Sequence, residues 1–199
     1  MRVLFAHGFE GGPSGSKPTY MREELGWEVK SPIMSGLGWS IASQTEVLLR
    51  SIDAEEFDLV IGSSMGGLAA ANASSKRSDS EFRLVLIAPA FGIDRYWGGL
   101  GEEEVEEWKK SGERLYSGYD LEVLLPWEFM ESARIMSWPE INHLTSIMHG
   151  THDDVVDIDF SRRMAIENKM VDLYEFDDGH RMKESIGSIG EIVSDLMAR

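Results

Sequence analysis

No cysteine occurs among the 199 residues, which excludes disulfides, thiolate-held metals and a cysteine nucleophile. Positive charge is scarce too: 19 Lys and Arg stand against 35 Asp and Glu, a formal net charge of −16. A surface of that sign repels nucleic-acid phosphates and anionic lipid headgroups, so neither nucleic acid nor membrane is expected as a partner. Long apolar runs are also missing. The opening stretch Met1–Ala6 is broken by Arg2 and stops at His7-Gly8, too short for a signal-peptide core. No run approaches the ~20 residues of a membrane helix. These absences lead us to expect a cytoplasmic protein, a monomer or small oligomer of one domain spanning residues 1–199. Its 42% hydrophobic and 27% charged residues suit such a domain, which at this length buries roughly 70% of the surface its unfolded chain exposes.

Short apolar, β-branched runs alternate with longer amphipathic stretches, the pattern of βαβ units. Strands are expected at Val3–Ala6, Trp27–Ser31, Leu59–Ile61, Leu84–Ala88, Ser146–His149 and Val171–Phe176. Most are continuously apolar, as strands covered on both faces should be. Helices are expected at Lys17–Leu25, Trp39–Ile52, Met65–Ser74, Ile158–Asn168 and Met182–Met197. The fold class is thus α/β, a mostly parallel sheet of about six strands flanked by helices. From Gly92 to Leu144 no strand pattern appears, and the only helix read there is Glu102–Leu115. Such a span is far longer than an ordinary connection, so residues 92–144 read as an inserted helical cap. Four of the six tryptophans lie in it. Trp97, Trp108 and Trp127 are candidate walls of a substrate pocket, although cap aromatics can equally form the cap's own core.

The most informative residues are Gly62-Ser63-Ser64-Met65-Gly66-Gly67, between the apolar run ending at Ile61 and the small-residue stretch Leu68–Ala73. This is G-x-S-x-G in a strand–turn–helix context, with Ser64 in phase as the nucleophile. Only small residues two positions either side of the serine let strand and helix come close enough for so sharp a turn. The phosphate-cradling alternative lacks its Lys-Ser/Thr pair.

A serine hydroxyl needs a base, and the base needs an orienting carboxylate. In α/β-hydrolases these follow the serine as acid, then histidine. His180 is the only histidine after the candidate acids. The Gly-x-x-Asp phase from Gly150 favours Asp153, with Asp154 and Asp157 as competitors. The backbone N–H groups of Met65 and Phe9 are the expected oxyanion hole, and His7 is expected to brace its loop. His149 and His152 have no third ligand in phase, so no metal is expected, and nothing calls for a cofactor.

With these residues in place, the chain resembles the α/β-hydrolase superfamily in a short form. His7-Gly8-Phe9, Pro13 and Lys17 match the opening of small bacterial serine esterases, with Gly11 and Gly15 where those carry serine. Gly15-Ser16-Lys17, Gly62–Gly67, His149–Val156 and Gly179-His180-Arg181 are similar to small carboxylesterases and acyl-protein thioesterases. The resemblance implies hydrolysis of a small-molecule carboxylic ester or thioester through an acyl-enzyme on Ser64. Use of the same triad on a C–C, peroxide or peptide bond stands beside it, as does a catalytically idle binding module.

Overall fold

The computed structural model describes residues 1–95, 99–118 and 121–199. Trp97 lies outside the described residues. The apolar runs become six strands, β1 (Arg2–Ala6), β2 (Glu28–Lys30), β3 (Leu59–Ser63), β4 (Arg83–Ile87), β7 (Thr145–Gly150) and β8 (Val171–Phe176). They form one parallel sheet in the order β2-β1-β3-β4-β7-β8. Two further strands, β5 (Glu113–Gly118) and β6 (Leu121–Pro126), pair antiparallel on their own. The helices are α1 (Ser16–Glu23), α2 (Ile41–Ala54), α3 (Met65–Lys76), α4 (Glu102–Ser111), α5 (Glu128–Met136), α6 (Ile158–Glu167) and α7 (Ile189–Met197).

Successive side chains on a strand face opposite ways, so each continuous apolar run feeds two cores. Val3, Phe5, Leu59, Ile61, Val85 and Ile87 pack with Met21 of α1 and with Ile189, Ile192, Val193 and Leu196 of α7. Leu4, Ala6, Val60, Leu84 and Leu86 pack on the other face with α2, α3, α6 and the cap. Each fully buried Leu, Ile or Phe contributes roughly 1.5–3 kcal/mol. The shared burial fixes the register, because slipping a strand by one residue would exchange its two sets.

From β1 the chain runs out to edge strand β2, then returns past β1 to β3 and on toward β8. The connections after β1 and β3 therefore diverge at the carboxyl edge, the crevice where open α/β sheets bind ligands. All three non-glycine residues with positive φ among those described, Ser64 (55°), Ala88 (44°) and Met182 (50°), lie in connections leaving this edge. Strain of about 1–3 kcal/mol at each is held by the surrounding packing.

Two expectations need correction. The final helix does not begin at Met182: a short 3₁₀ turn covers Ile186–Ser188 and α7 starts at Ile189. Met182 itself has φ 50°, and Asp178 Oδ2 accepts the N–H groups of Glu184 and Ser185, tying this stretch to the loop after β8. The cap is not purely helical either. Its first helix ends at Ser111, because Gly112 adopts φ 80°, a left-handed cap. The β5–β6 hairpin follows. Its pattern was hidden because Leu115 and Leu124, cross-strand partners, point outward at 56% and 54% exposure, while Arg114 and Tyr116 lie on the half-buried face.

Candidate active site

Ser64 sits between β3 and α3 with φ 55° and ψ −121°, the strained turn that lifts its side chain off the sheet edge. The glycines around it are steric necessities. A Cβ on Gly62 would lie 2.6 Å from Gly67 Cα, and one on Gly66 would lie 2.6 Å from Ala6 C. Neither backbone can retreat without pulling β1, β3 and α3 apart. Across the crevice, a Cβ on Gly8 would stand 3.2 Å from Ser64 Cβ, so the Gly8–Phe9 peptide runs beside the serine. Met65 opens α3, so its N–H has no acceptor within the helix. Ser64 is partly accessible to solvent.

His180 Nε2 lies 3.0 Å from Ser64 Oγ, and its Nδ1 lies 2.7 Å from Asp153 Oδ2. The Asp153 side chain is fully buried, and the His180 side chain nearly so at 17% exposure. Asp153 Oδ1 accepts the N–H groups of Val155 (2.9 Å) and Val156 (2.8 Å). Burial alone would raise its pKa. Hydrogen bonds from His149, His180 and the Val156 N–H outweigh that and hold the carboxyl well below the ordinary range. Ser64, His180 and Asp153, read from the sequence as one constellation, are thus brought together. An imidazole between a hydroxyl and a buried carboxylate can take a proton from the hydroxyl while its charged form is stabilised.

The competitors for Asp153 lie elsewhere. Asp154 is exposed, and Asp157 caps α6 by accepting the Asp159 N–H at 2.9 Å. His152 faces solvent, 2.8 Å from Asp177, whereas His149 is wholly buried. His7 Nε2 accepts the Met34 N–H at 3.2 Å, which leaves Nδ1–H to donate to Gly8 O at 2.8 Å. Burial lowers the His7 pKa against the opposing effect of that carbonyl, so the ring braces its loop in the neutral form.

The His180 loop is fastened from both ends. Burial would raise the Asp178 pKa, but the N–H groups of Ser185, Gly179 and Glu184 lower it overall. Lys17 Nζ donates to Arg181 O at 2.9 Å; burial and the Arg181 charge push its pKa down, opposed by Asp178. Gly150 is also obligatory, since its Cβ would meet Asp178 C at 2.6 Å. This role of Asp178 is not legible in the sequence. Its signal, a carboxylate two residues before the histidine, is too common to be read alone.

Of the two readings open for the cap tryptophans, Trp108 takes the second. Trp108 is 1% exposed, donates Nε1–H to Leu125 O at 3.0 Å and stacks on Phe129 at 6.0 Å, so it belongs to the cap's own core rather than a pocket wall. Trp127 meets Trp108 edge-on at 5.8 Å with Arg134 over its ring. Other aromatics gather on the Phe9 side chain: its ring meets Trp39 at 5.0 Å, Tyr116 at 4.9 Å and Phe129 at 6.4 Å. Tyr116 Oη also donates to Glu10 Oε1 at 2.6 Å, joining the hairpin to this loop. Among the described residues, no group of three or more His, Asp or Glu could hold a metal ion, and no helix is long and apolar enough to cross a membrane.

Sheet order, strained serine and flanking helices make this an α/β-hydrolase fold. Mouse alpha/beta hydrolase domain-containing protein 10 superposes with a TM-score of 0.78 at 22% identity, over 98% of this chain and 90% of its own. Est1E from Butyrivibrio proteoclasticus does so with a TM-score of 0.75 at 18% identity, covering 99% and 86%. A Paleococcus ferrophilus monoacylglycerol lipase gives 0.73 at 20% identity, covering 99% and 94%. At such identities the likeness is one of fold. The chain belongs to UPF0227, an uncharacterised protein family, whose profile matches residues 2–194. Among curated proteins, none matches its sequence.

Proposed function

We propose that the protein is a serine hydrolase that cleaves carboxylic ester or thioester bonds of small to medium apolar acyl groups. The observation that carries this reading is the unbroken chain Ser64 Oγ–His180–Asp153 at 3.0 and 2.7 Å, mounted on a strained turn. His180 Nε2 takes the Ser64 proton as Oγ attacks the acyl carbon. The carbonyl oxygen becomes an oxyanion facing the N–H groups of Met65 and Phe9. His180 then returns the proton to the leaving group, and the acyl-enzyme forms. Water, deprotonated by the same ring, releases the acid and restores the serine. Asp153 fixes the imidazole tautomer and stabilises its charged form without taking the proton.

The acyl preference is supported by the cluster of Trp39 and Tyr116 rings on the side chain of Phe9, the residue proposed to supply an oxyanion N–H. Nitrophenyl esters of graded chain length test both parts. Hydrolysis of short and medium esters by the wild type, lost in Ser64→Ala, is the expected result. Retained hydrolysis in the variant, or none by the wild type at any length, contradicts it.

A further inference from the structure

His149, weighed in the sequence as a metal ligand and given no part in the triad, touches the acid of the site. Its Nε2 lies 3.0 Å from Asp153 Oδ2 and 3.2 Å from Val156 O, two acceptors, so that nitrogen carries the proton and donates. Its Nδ1 lies 2.7 Å from Ser161 Oγ on α6 and, being unprotonated, accepts the hydroxyl hydrogen. Both His149 and Ser161 are fully buried. Asp153 Oδ2 thus receives two imidazole N–H groups, from His149 and His180, while Oδ1 receives two backbone N–H groups.

We propose that His149 is a positioning residue for the Asp153 carboxylate, locked by Ser161, in a chain that runs Ser64–His180–Asp153–His149–Ser161. Fixed at both ring nitrogens, His149 cannot swing, and the carboxylate it holds cannot turn Oδ2 away from His180. It also draws part of the Oδ2 charge toward itself, leaving less to stabilise the imidazolium of His180. The other charged groups around it are already engaged. Glu175, opposite His149 across β7–β8, is bridged by Arg162 of α6 at 2.6 and 2.9 Å. The Asp178 carboxylate is taken up by the N–H groups of Gly179, Glu184 and Ser185. On the face of the sheet that α6 covers, the neighbouring β4 residues Leu84 and Leu86 are apolar.

The proposal rests on the acyl-transfer reading for its effect on rate, but its first readout does not need activity. In ¹⁵N-labelled full-length protein, long-range ¹H–¹⁵N spectra should show His149 protonated at Nε2; a ring protonated only at Nδ1 overturns the proposal. In His149→Phe the acid limb of kcat/KM on nitrophenyl butyrate should move to higher pH, because the full Asp153 charge now faces the His180 ring. In the same variant kcat should fall about ten- to a hundredfold with KM little changed. His149→Gln, which keeps a donor near Nε2, should recover most of both. An unmoved acid limb in folded His149→Phe overturns the proposal. If that variant does not fold, Ser161→Ala, lacking only the hydroxyl behind the ring, takes its place: a smaller shift in the same direction supports the proposal and no shift overturns it. Failure of the acyl-transfer reading looks different: the wild type would resist a fluorophosphonate while His149 stayed protonated at Nε2, which still supports the positioning role.

Discussion

The carboxyl edge of the sheet and the cap above it are built on opposite terms. At the edge, backbone meets backbone: Gly62 and Gly66 leave no room for a methyl group between β1, β3 and α3, and Ser64 is held at φ 55°. In the cap, side chains do the joining: Trp108 on Leu125 and Phe129, Tyr116 on Glu10, with Leu115 and Leu124 exposed on the outer face of the hairpin. Backbone packing tolerates one geometry, whereas side-chain packing tolerates several. We infer that chemistry is fixed at the edge, and that the cap is where selectivity can drift.

Several substitutions can break that contrast. The largest effect falls on Ser64→Ala, expected to lower turnover by about 10⁶-fold while leaving the melting temperature almost unchanged, since alanine keeps the strained backbone. Ser64→Gly should be equally inactive but more stable by about 1 kcal/mol, as glycine adopts positive φ without strain; a chemical denaturation curve shows the gain. Next in size, Trp108→Ala should cost about 3–5 kcal/mol by emptying the cap's core, yet leave the acyl-chain preference of the molecules that fold unchanged. A changed preference would put Trp108 back in the substrate pocket. Tyr116→Phe should cost about 1 kcal/mol or less in stability, and its effect should appear in KM rather than kcat if the hairpin only covers the site.

The gentlest test is pH. Burial lowers the pKa of both His7 and His143 below the ordinary 6.5, against the opposing effects of Gly8 O and Ser80 O. Below 6.5 the unfolded chain therefore binds protons that the folded chain refuses. Their stabilising contribution is complete above 6.5 and declines as pH falls toward the lowered values. His143 Nε2–H donates to Ser80 O at 2.9 Å, and its Nδ1 lies 2.7 Å from Ser74 Oγ. His143→Gln keeps a donor for Ser80 but cannot titrate, so melting temperatures measured from pH 7 to 5 should fall less steeply than in the wild type.

The same contrast explains what could be read beforehand. Ser64, Asp153 and His180 were legible because a sharp turn demands glycine at fixed spacing and because the acid and base close successive strands. The six main strands were legible because both faces are buried. The hairpin was not, since Leu115 and Leu124 point outward and Arg114 lies on its covered face, against the usual alternation. Trp108 was ambiguous because an indole suits a core and a pocket equally well. His149 carried a readable signal, a histidine four residues before the acid. Its meaning depended on Ser161, twelve residues on and one helix away.

The central claim, that Ser64 is a nucleophile activated by His180, is tested most directly by intact-protein mass spectrometry after exposure to a fluorophosphonate probe. The account predicts one covalent adduct per chain, mapped to Ser64 by peptide sequencing and abolished in Ser64→Ala and His180→Ala. An unmodified wild-type chain, or an adduct on a different residue, would contradict it.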